Sequence, residues 1–278
     1  MASFGPLVQA DWLRQNLGAG DLCVVDFRWY LDGRSGREAY EAGHIPGSVF
    51  LDLQDVTGAD GGGRHPLPGR DQFEQALRLA GVNASDRVVA YDDASGSVAA
   101  RLWWLLRWFG HPAVAILDGG IQAWGEPLET ALAPARAGSF AAVEPDPALV
   151  LGYEAVSSRP AGAVLIDARA PERYSGATEP IDPRAGHIPG AINVFWKGCI
   201  AQDGRLLSPD QLRQHFAGLG IASADSVVAY CGSGVTACSD LLALEVAGLP
   251  GGRLYAGSWS DWSSREDAPA ATGDQPGA

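Results

Sequence analysis

The chain has 278 residues, 46% of them hydrophobic, and 33 Asp plus Glu against 20 Lys plus Arg, a formal charge of -13 at neutral pH. That length can bury a substantial core, as one large domain or two smaller ones, and the acidic balance disfavours nonspecific binding to nucleic acid or anionic membranes. No uninterrupted apolar run is long enough to span a bilayer, since the run 102–109 is short and contains Arg107.

The opening residues carry no secretory-signal pattern. The cysteines, Cys23, Cys199, Cys231 and Cys238, are sparse and show no CxxC spacing, and none of the histidines forms an HxxxH or HxH pair. A disulfide scaffold and a structural zinc site are therefore not expected, no cofactor or metal is called for, and a reducing cytoplasm is the expected setting. Oligomeric state is not legible.

Short apolar runs alternate with helical patterns along the chain. Strands are predicted at 22–26, 88–91 and 114–117, with helices at 73–80 and 97–109; a second set follows, with strands at 165–167, 227–230 and 253–255 and helices at 209–219 and 235–246. Gly18, Gly81 and Gly220 follow helical patterns as C-terminal caps would. Buried strands separated by helices favour an α/β domain with a parallel sheet.

The two sets repeat one another. Val24-Val25-Asp26 precedes Gly43-His44-Ile45-Pro46-Gly47, and Leu165-Ile166-Asp167 precedes Gly186-His187-Ile188-Pro189-Gly190; the Asp-to-His separations are 18 and 20 residues. Arg87-Val88-Val89-Ala90-Tyr91 is matched by Ser226-Val227-Val228-Ala229-Tyr230. Leu117-Asp118-Gly119-Gly120 precedes Trp124, as Tyr255-Ala256-Gly257-Ser258 precedes Trp262. Matching landmarks in one order imply two copies of one domain, 1–133 and 149–265, joined by an Ala/Pro-rich linker at 134–148 and followed by a flexible tail at 266–278. His44 and His187 occur in both copies of the turn, which points to folding rather than catalysis.

After the strand at 227–230 comes Cys231-Gly232-Ser233-Gly234-Val235-Thr236-Ala237. A loop at the C-terminal end of a strand is a usual ligand position in open α/β folds. A helix beginning near Gly234 would aim free N–H groups at the loop, favouring a Cys231 thiolate or an anion above it. The glycines permit close approach of backbone donors, and Ser233 adds a hydroxyl. A buried, inert cysteine in a tight turn is the plain alternative. The first copy has Asp92-Asp93 after its strand, so one copy is expected to be active and the other structural; there a capping turn is the ordinary explanation of the two carboxylates. A cysteine phosphatase would want an arginine six positions after the cysteine, where Ala237 stands, and no GxxxxGK[ST] run occurs.

From Leu22 to Trp262 the sequence resembles the two-domain sulfurtransferases of the rhodanese family, on both GHIPG motifs, on Cys231 to Ala237 and on Gly257-Ser258-Trp259. The resemblance implies tandem rhodanese-like α/β domains, each with a mainly parallel central sheet flanked by helices, the first catalytically inactive. It also implies that Cys231 takes sulfur from a small-molecule donor as a persulfide and gives it to a thiol or cyanide, with a thioredoxin-like reductant as a further partner. The neutral Cys-Gly-Ser-Gly loop resembles that of the family's 3-mercaptopyruvate branch rather than the Cys-Arg-Lys-Gly of its thiosulfate branch. Thiosulfate as donor, or a nonenzymatic persulfide carrier, are the alternatives.

A ketoacid donor needs a carboxylate clamp, and arginine supplies two parallel donors. Arg173 matches the family's substrate-binding arginine, and Arg184 resembles the second, although its spacing is longer. Gly232, Gly234, Val235 and Thr236 complete the substrate-facing loop. The resemblance also brings His65, from Gly61-Gly62-Gly63-Arg64-His65, to the cysteine across a domain interface, in a serine–histidine–aspartate relay with Ser233. The acidic member falls on Gln54 here, leaving Asp52 and Asp55 as neighbours.

Overall fold

The structure, a computed structural model, describes residues 4–132, 137–160 and 162–277. It falls into two compact units. Unit 1 comprises Met1–Gly58, Pro68–Pro145 and Gln202–Leu206, and unit 2 comprises Ala59–Leu67, Asp146–Ala201 and Leu207–Ala278. No described helix is long and apolar enough to cross a membrane.

Unit 1 runs β1 (Leu7–Val8), α1 (Ala10–Asn16), β2 (Leu22–Asp26), α2 (Gly36–Ala42), β3 (Val49–Phe50), α3 (Arg70–Leu79), β4 (Arg87–Tyr91), α4 (Ala99–Trp108) and β5 (Val114–Leu117). Its sheet has the order β1-β5-β4-β2-β3, every pair parallel. β4 and β5 are buried almost throughout, and α4 is apolar on nearly every side, as strands covered on both faces require.

Unit 2 runs α5 (Tyr153–Ser157), β6 (Val164–Asp167), α6 (Pro171–Tyr174), β7 (Ala191–Asn193), α7 (Pro209–Gly218), β8 (Val227–Tyr230), α8 (Ala237–Val246), β9 (Arg253–Leu254) and α9 (Ser258–Trp262). Its sheet order is β7-β6-β8-β9, again all parallel. Leu165, Val228, Tyr230, Trp259 and Trp262 share one core cluster. The predicted strands and the four predicted helices are all present, with ends shifted by a few residues. The elements without a sequence signal are the strands β1, β3 and β7 and the short helices, too brief to show a period.

Both copies of the GHIPG turn are built alike. Tyr40 stacks on His44 at 3.9 Å and Tyr174 on His187 at 3.8 Å. Each histidine Nδ1 lies 2.8 Å from the carbonyl of its own stacking tyrosine, and Ile45 and Ile188 donate their N–H to the hydroxyls of Tyr91 and Tyr230. Asp26 and Asp167 hold Arg28 and Arg169, whose Nη2 atoms donate to the carbonyls of Gly43 and Gly186. Buried polar groups are partnered by one another, so these histidines brace the turn.

Two segments differ from expectation. Residues 133–136, at the start of the expected linker, lie outside the described residues. The rest is no free linker up to Pro145: Gly138 and Phe140 donate to the carbonyls of Arg78 and Val82, and the Phe140 ring is buried edge-on to Phe73. The expected flexible tail is likewise fastened. Ala271 exchanges two backbone hydrogen bonds of 2.9 Å with His187, Gly273 donates to Ser175, and Ala268 is buried. Polar, Pro-rich composition signalled mobility, but backbone pairing decided the outcome.

Candidate active site

Cys231 follows β8 directly and is buried. Its carbonyl accepts the N–H of Trp259 at 2.9 Å, and its own N–H donates to Ser258 Oγ at 3.1 Å. Ser258 is one of the few non-glycine residues with positive φ, at 54°; its hydroxyl bridges the cysteine loop to the Tyr255 carbonyl. The loop thus hangs between the end of β8 and the start of α9, and its backbone is held at both points.

Gly234 carries the chain through a φ of +77°, where an added Cβ would lie 2.6 Å from the Ala256 carbonyl. Its N–H points at Cys231 Sγ, 3.1 Å away. Val235 and Thr236 follow, their carbonyls accepting from Cys238 and Ser239 as α8 begins. The first-turn N–H groups of a helix have no intrahelical acceptor, and α8 begins three residues beyond the Gly234 donor that faces the Cys231 sulfur.

The first copy shows what such a loop holds. Asp92 follows β4 as Cys231 follows β8, and its carbonyl accepts from Ile121 as that of Cys231 does from Trp259. One carboxylate oxygen accepts N–H bonds from Ala94 (2.8 Å) and Gly96 (2.7 Å), the other from Val98 and Ala99 (both 2.8 Å). Burial raises this carboxyl above its ordinary range, with the backbone donors pulling the other way. Gly96 has positive φ like Gly234, and α4 and α8 both begin three residues after that glycine. Aligned so, the first-copy loop is one residue longer, and Gly234, Thr236 and Ala237 in unit 2 match Gly96, Val98 and Ala99. In unit 1 the loop's anion-holding donors are filled by its own aspartate.

His65 and Ser233 come together within unit 2. His65 Nδ1 lies 2.8 Å from Ser233 Oγ, and both residues are buried. Asp52 accepts the N–H of Gln54 and Asp55 that of Asp52, so the two carboxylates cap a short 3-10 turn, Leu53–Val56, in unit 1.

Arg173 also reaches the loop. An added Cβ on Gly232 would lie 3.4 Å from its Nη1. Its other edge is held by Glu179, through Nε at 3.2 Å and Nη2 at 2.8 Å, and by Asp182 at 3.0 Å. Burial raises the Glu179 carboxyl, but Arg173 and the N–H groups of Ile181 and Asp182 more than offset this and leave it below its usual range. Arg184 is bonded to the backbone. Four of its N–H groups donate to the carbonyls of Ser263, Ala268, Trp262 and Arg265, at 2.7 to 3.0 Å. It pins the chain after α9.

Two side chains near the loop carried no sequence signal. Arg64, beside His65, brings Nη2 to 2.9 Å from the same Gly232 Cβ position; its adjacency to His65 in a glycine-rich loop was the available clue. Asp240, on α8, is fully buried with neither carboxylate oxygen partnered among the described residues. Burial, then the charges of Cys231 and Asp167, push its carboxyl well above the usual range. An aspartate in an apolar helix could have been noticed as a conflict with its surroundings.

The family model described as the Rhodanese-like domain matches residues 9–127 and 154–265. The chain belongs to the rhodanese family. This rhodanese is 44% identical to a Pseudomonas aeruginosa protein named as a probable 3-mercaptopyruvate sulfurtransferase, over 98% of this chain and 100% of the relative. It is 40% identical to a Mycobacterium tuberculosis protein, SseB, named as a candidate thiosulfate sulfurtransferase, over 96% and 97% of the two chains. The crystal structure of SseA from Escherichia coli, described among 3-mercaptopyruvate sulfotransferases, superposes with a TM-score of 0.82 at 35% identity, covering 92% of this chain and 99% of that one. The protein is a tandem two-domain rhodanese-fold sulfurtransferase, an enzyme that passes sulfane sulfur through a cysteine intermediate.

Proposed function

We propose that the donor is 3-mercaptopyruvate, that Cys231 is the cysteine that carries the sulfur, and that the acceptor is a thiol, a thioredoxin-like reductant among them, or cyanide. The observation that supports this most is the combination at one loop: the Gly234 N–H at 3.1 Å from Cys231 Sγ, Ser233 bonded to His65 at 2.8 Å, and Arg173 beside Gly232. A ketoacid leaving as an enolate needs a proton and a carboxylate anchor, and this loop offers both types of group.

In the first step the Cys231 thiolate attacks the donor's sulfur. An S–S bond forms as the C–S bond breaks, and its electron pair leaves with the carbon as pyruvate enolate. The Ser233–His65 pair delivers a proton to that carbon, giving pyruvate. The outer sulfur of the persulfide sits before the N–H groups of Gly234, Thr236 and Ala237, which stabilise it as an anion. In the second step the acceptor thiolate attacks the outer sulfur, and the pair of the S–S bond returns to Cys231. The cysteine-loop position of the first copy, 1–133, takes no part in the chemistry, because Asp92 offers no sulfur and fills its own loop; the second copy, 149–265, carries it, with His65 as the contribution from the first stretch of sequence. The four thiols are free, which suits a reducing cytoplasm.

Cys231→Ser is expected to abolish the 32 Da mass gain that the wild type shows after exposure to donor, and to remove turnover. Full turnover by that variant would sink the assignment. A wild-type kcat/KM for thiosulfate well above that for 3-mercaptopyruvate, with one acceptor, would move the protein to the thiosulfate reading.

A further inference from the structure

We propose that Ser260 is a positioning residue for proton delivery, tying the loop that carries His65 to the loop that carries Ser233; the inference rests on the role given to that pair above. Ser260 is buried at the middle of α9 and bonds to both loops. Its N–H donates to the Gly232 carbonyl at 2.9 Å, beside the bond from Trp259 to the Cys231 carbonyl. Its Oγ accepts the N–H of Arg64 at 3.0 Å. The hydroxyl has one proton, and that proton goes to the Gly257 carbonyl, also at 3.0 Å, so the oxygen meets Arg64 as an acceptor.

These bonds close a ring. Ser233 follows Gly232, and its Oγ lies 2.8 Å from His65 Nδ1. His65 follows Arg64, and Arg64 returns through Ser260 to Gly232. Ser233 and His65 are 168 positions apart, so no local chain geometry keeps them together. Gly63 shows how closely the two loops approach. Its φ is +77°, and an added Cβ would lie 2.5 Å from the Gly257 carbonyl and 2.9 Å from Ser260 Oγ, a fit that glycine alone allows. Held from behind by Ser260, the His65 loop cannot withdraw from Ser233 without also breaking the Arg64 bond. Such a tether matters for proton transfer, because a displacement of about 1 Å can cost about 100-fold in rate.

The test measures single-turnover pyruvate release from 3-mercaptopyruvate. Ser260→Ala keeps the N–H to Gly232 and removes the acceptor for Arg64. It is expected to slow release about 10-fold, while Cys231 still gains the mass of one sulfur on long exposure. Ser260→Thr, which keeps the hydroxyl, should recover most of the rate. In a His65→Asn background Ser260→Ala should cost less than about twofold, because the tether then has nothing to position. Gly63→Ala disturbs the same contact from the loop's side. It should reproduce both results, and it decides the matter if Ser260→Ala does not fold. An undiminished rate in Ser260→Ala, or equal losses with and without His65, would overturn the role of Ser260. Unchanged pyruvate release in His65→Asn alone would instead overturn the proton-delivery reading, and this inference with it.

Discussion

Ser233 and His65 are separated by 168 positions in the chain and by 2.8 Å between Oγ and Nδ1. If they deliver one proton together, removing either should cost about as much as removing both. Ser233→Ala and His65→Asn are each expected to lower kcat with 3-mercaptopyruvate by about 100-fold, and the double variant by no more than the worse single. Single-turnover rates of pyruvate release would measure this, and losses that multiply would show two independent roles. The serine was legible from its place in the cysteine loop. The histidine entered only through family resemblance, because nothing in a glycine-rich loop indicates what it will touch.

At the scale of an element, α8 and its approach do two things. The loop that leads into the helix turns the Gly234 N–H toward the Cys231 sulfur, and the helix body buries Asp240 with no partner among the described residues. The folded protein holds a proton on Asp240, under burial and the charges of Cys231 and Asp167, at pH values where an unfolded aspartate, near about 4, has lost it. Its contribution to stability is thus fully present below that unfolded value and lost as pH rises toward the raised folded one. Asp240→Asn should remove this dependence. The variant is expected to match the wild type near pH 4 and to exceed it at pH 8 by about 1.4 kcal/mol or more, one unit of pKa difference being worth about that much. Thermal unfolding across this range checks it; a gap that did not widen with pH would contradict a protonated Asp240. Burial pushes the Cys199 thiol up as well, leaving it a poor nucleophile.

At the scale of the whole molecule, one loop design recurs in both units: under the proposed function it serves chemistry in unit 2, and in unit 1 it serves folding. Asp92 satisfies four backbone N–H groups of unit 1, three of them in buried hydrogen bonds. Asp92→Ala would orphan all four, and an expected loss of about 2–4 kcal/mol in urea unfolding follows from the cost of unsatisfied buried donors. Activity per folded molecule should stay within about twofold. A large fall in kcat without a loss of stability would mean that unit 1 has a chemical task.

The duplication, the parallel α/β class and Cys231 were determined by the sequence itself, because buried strands, repeated turns and a small-residue loop after a strand leave local, periodic marks. Tertiary structure alone decided where the cations go. Arg184 looked like a ligand for an anion and is instead bonded to four carbonyls, while Arg64, unremarked beside His65, is aimed at Gly232. A guanidinium on a flexible stem has no preferred partner in a linear chain; its role is set by which acceptors the fold leaves within its reach.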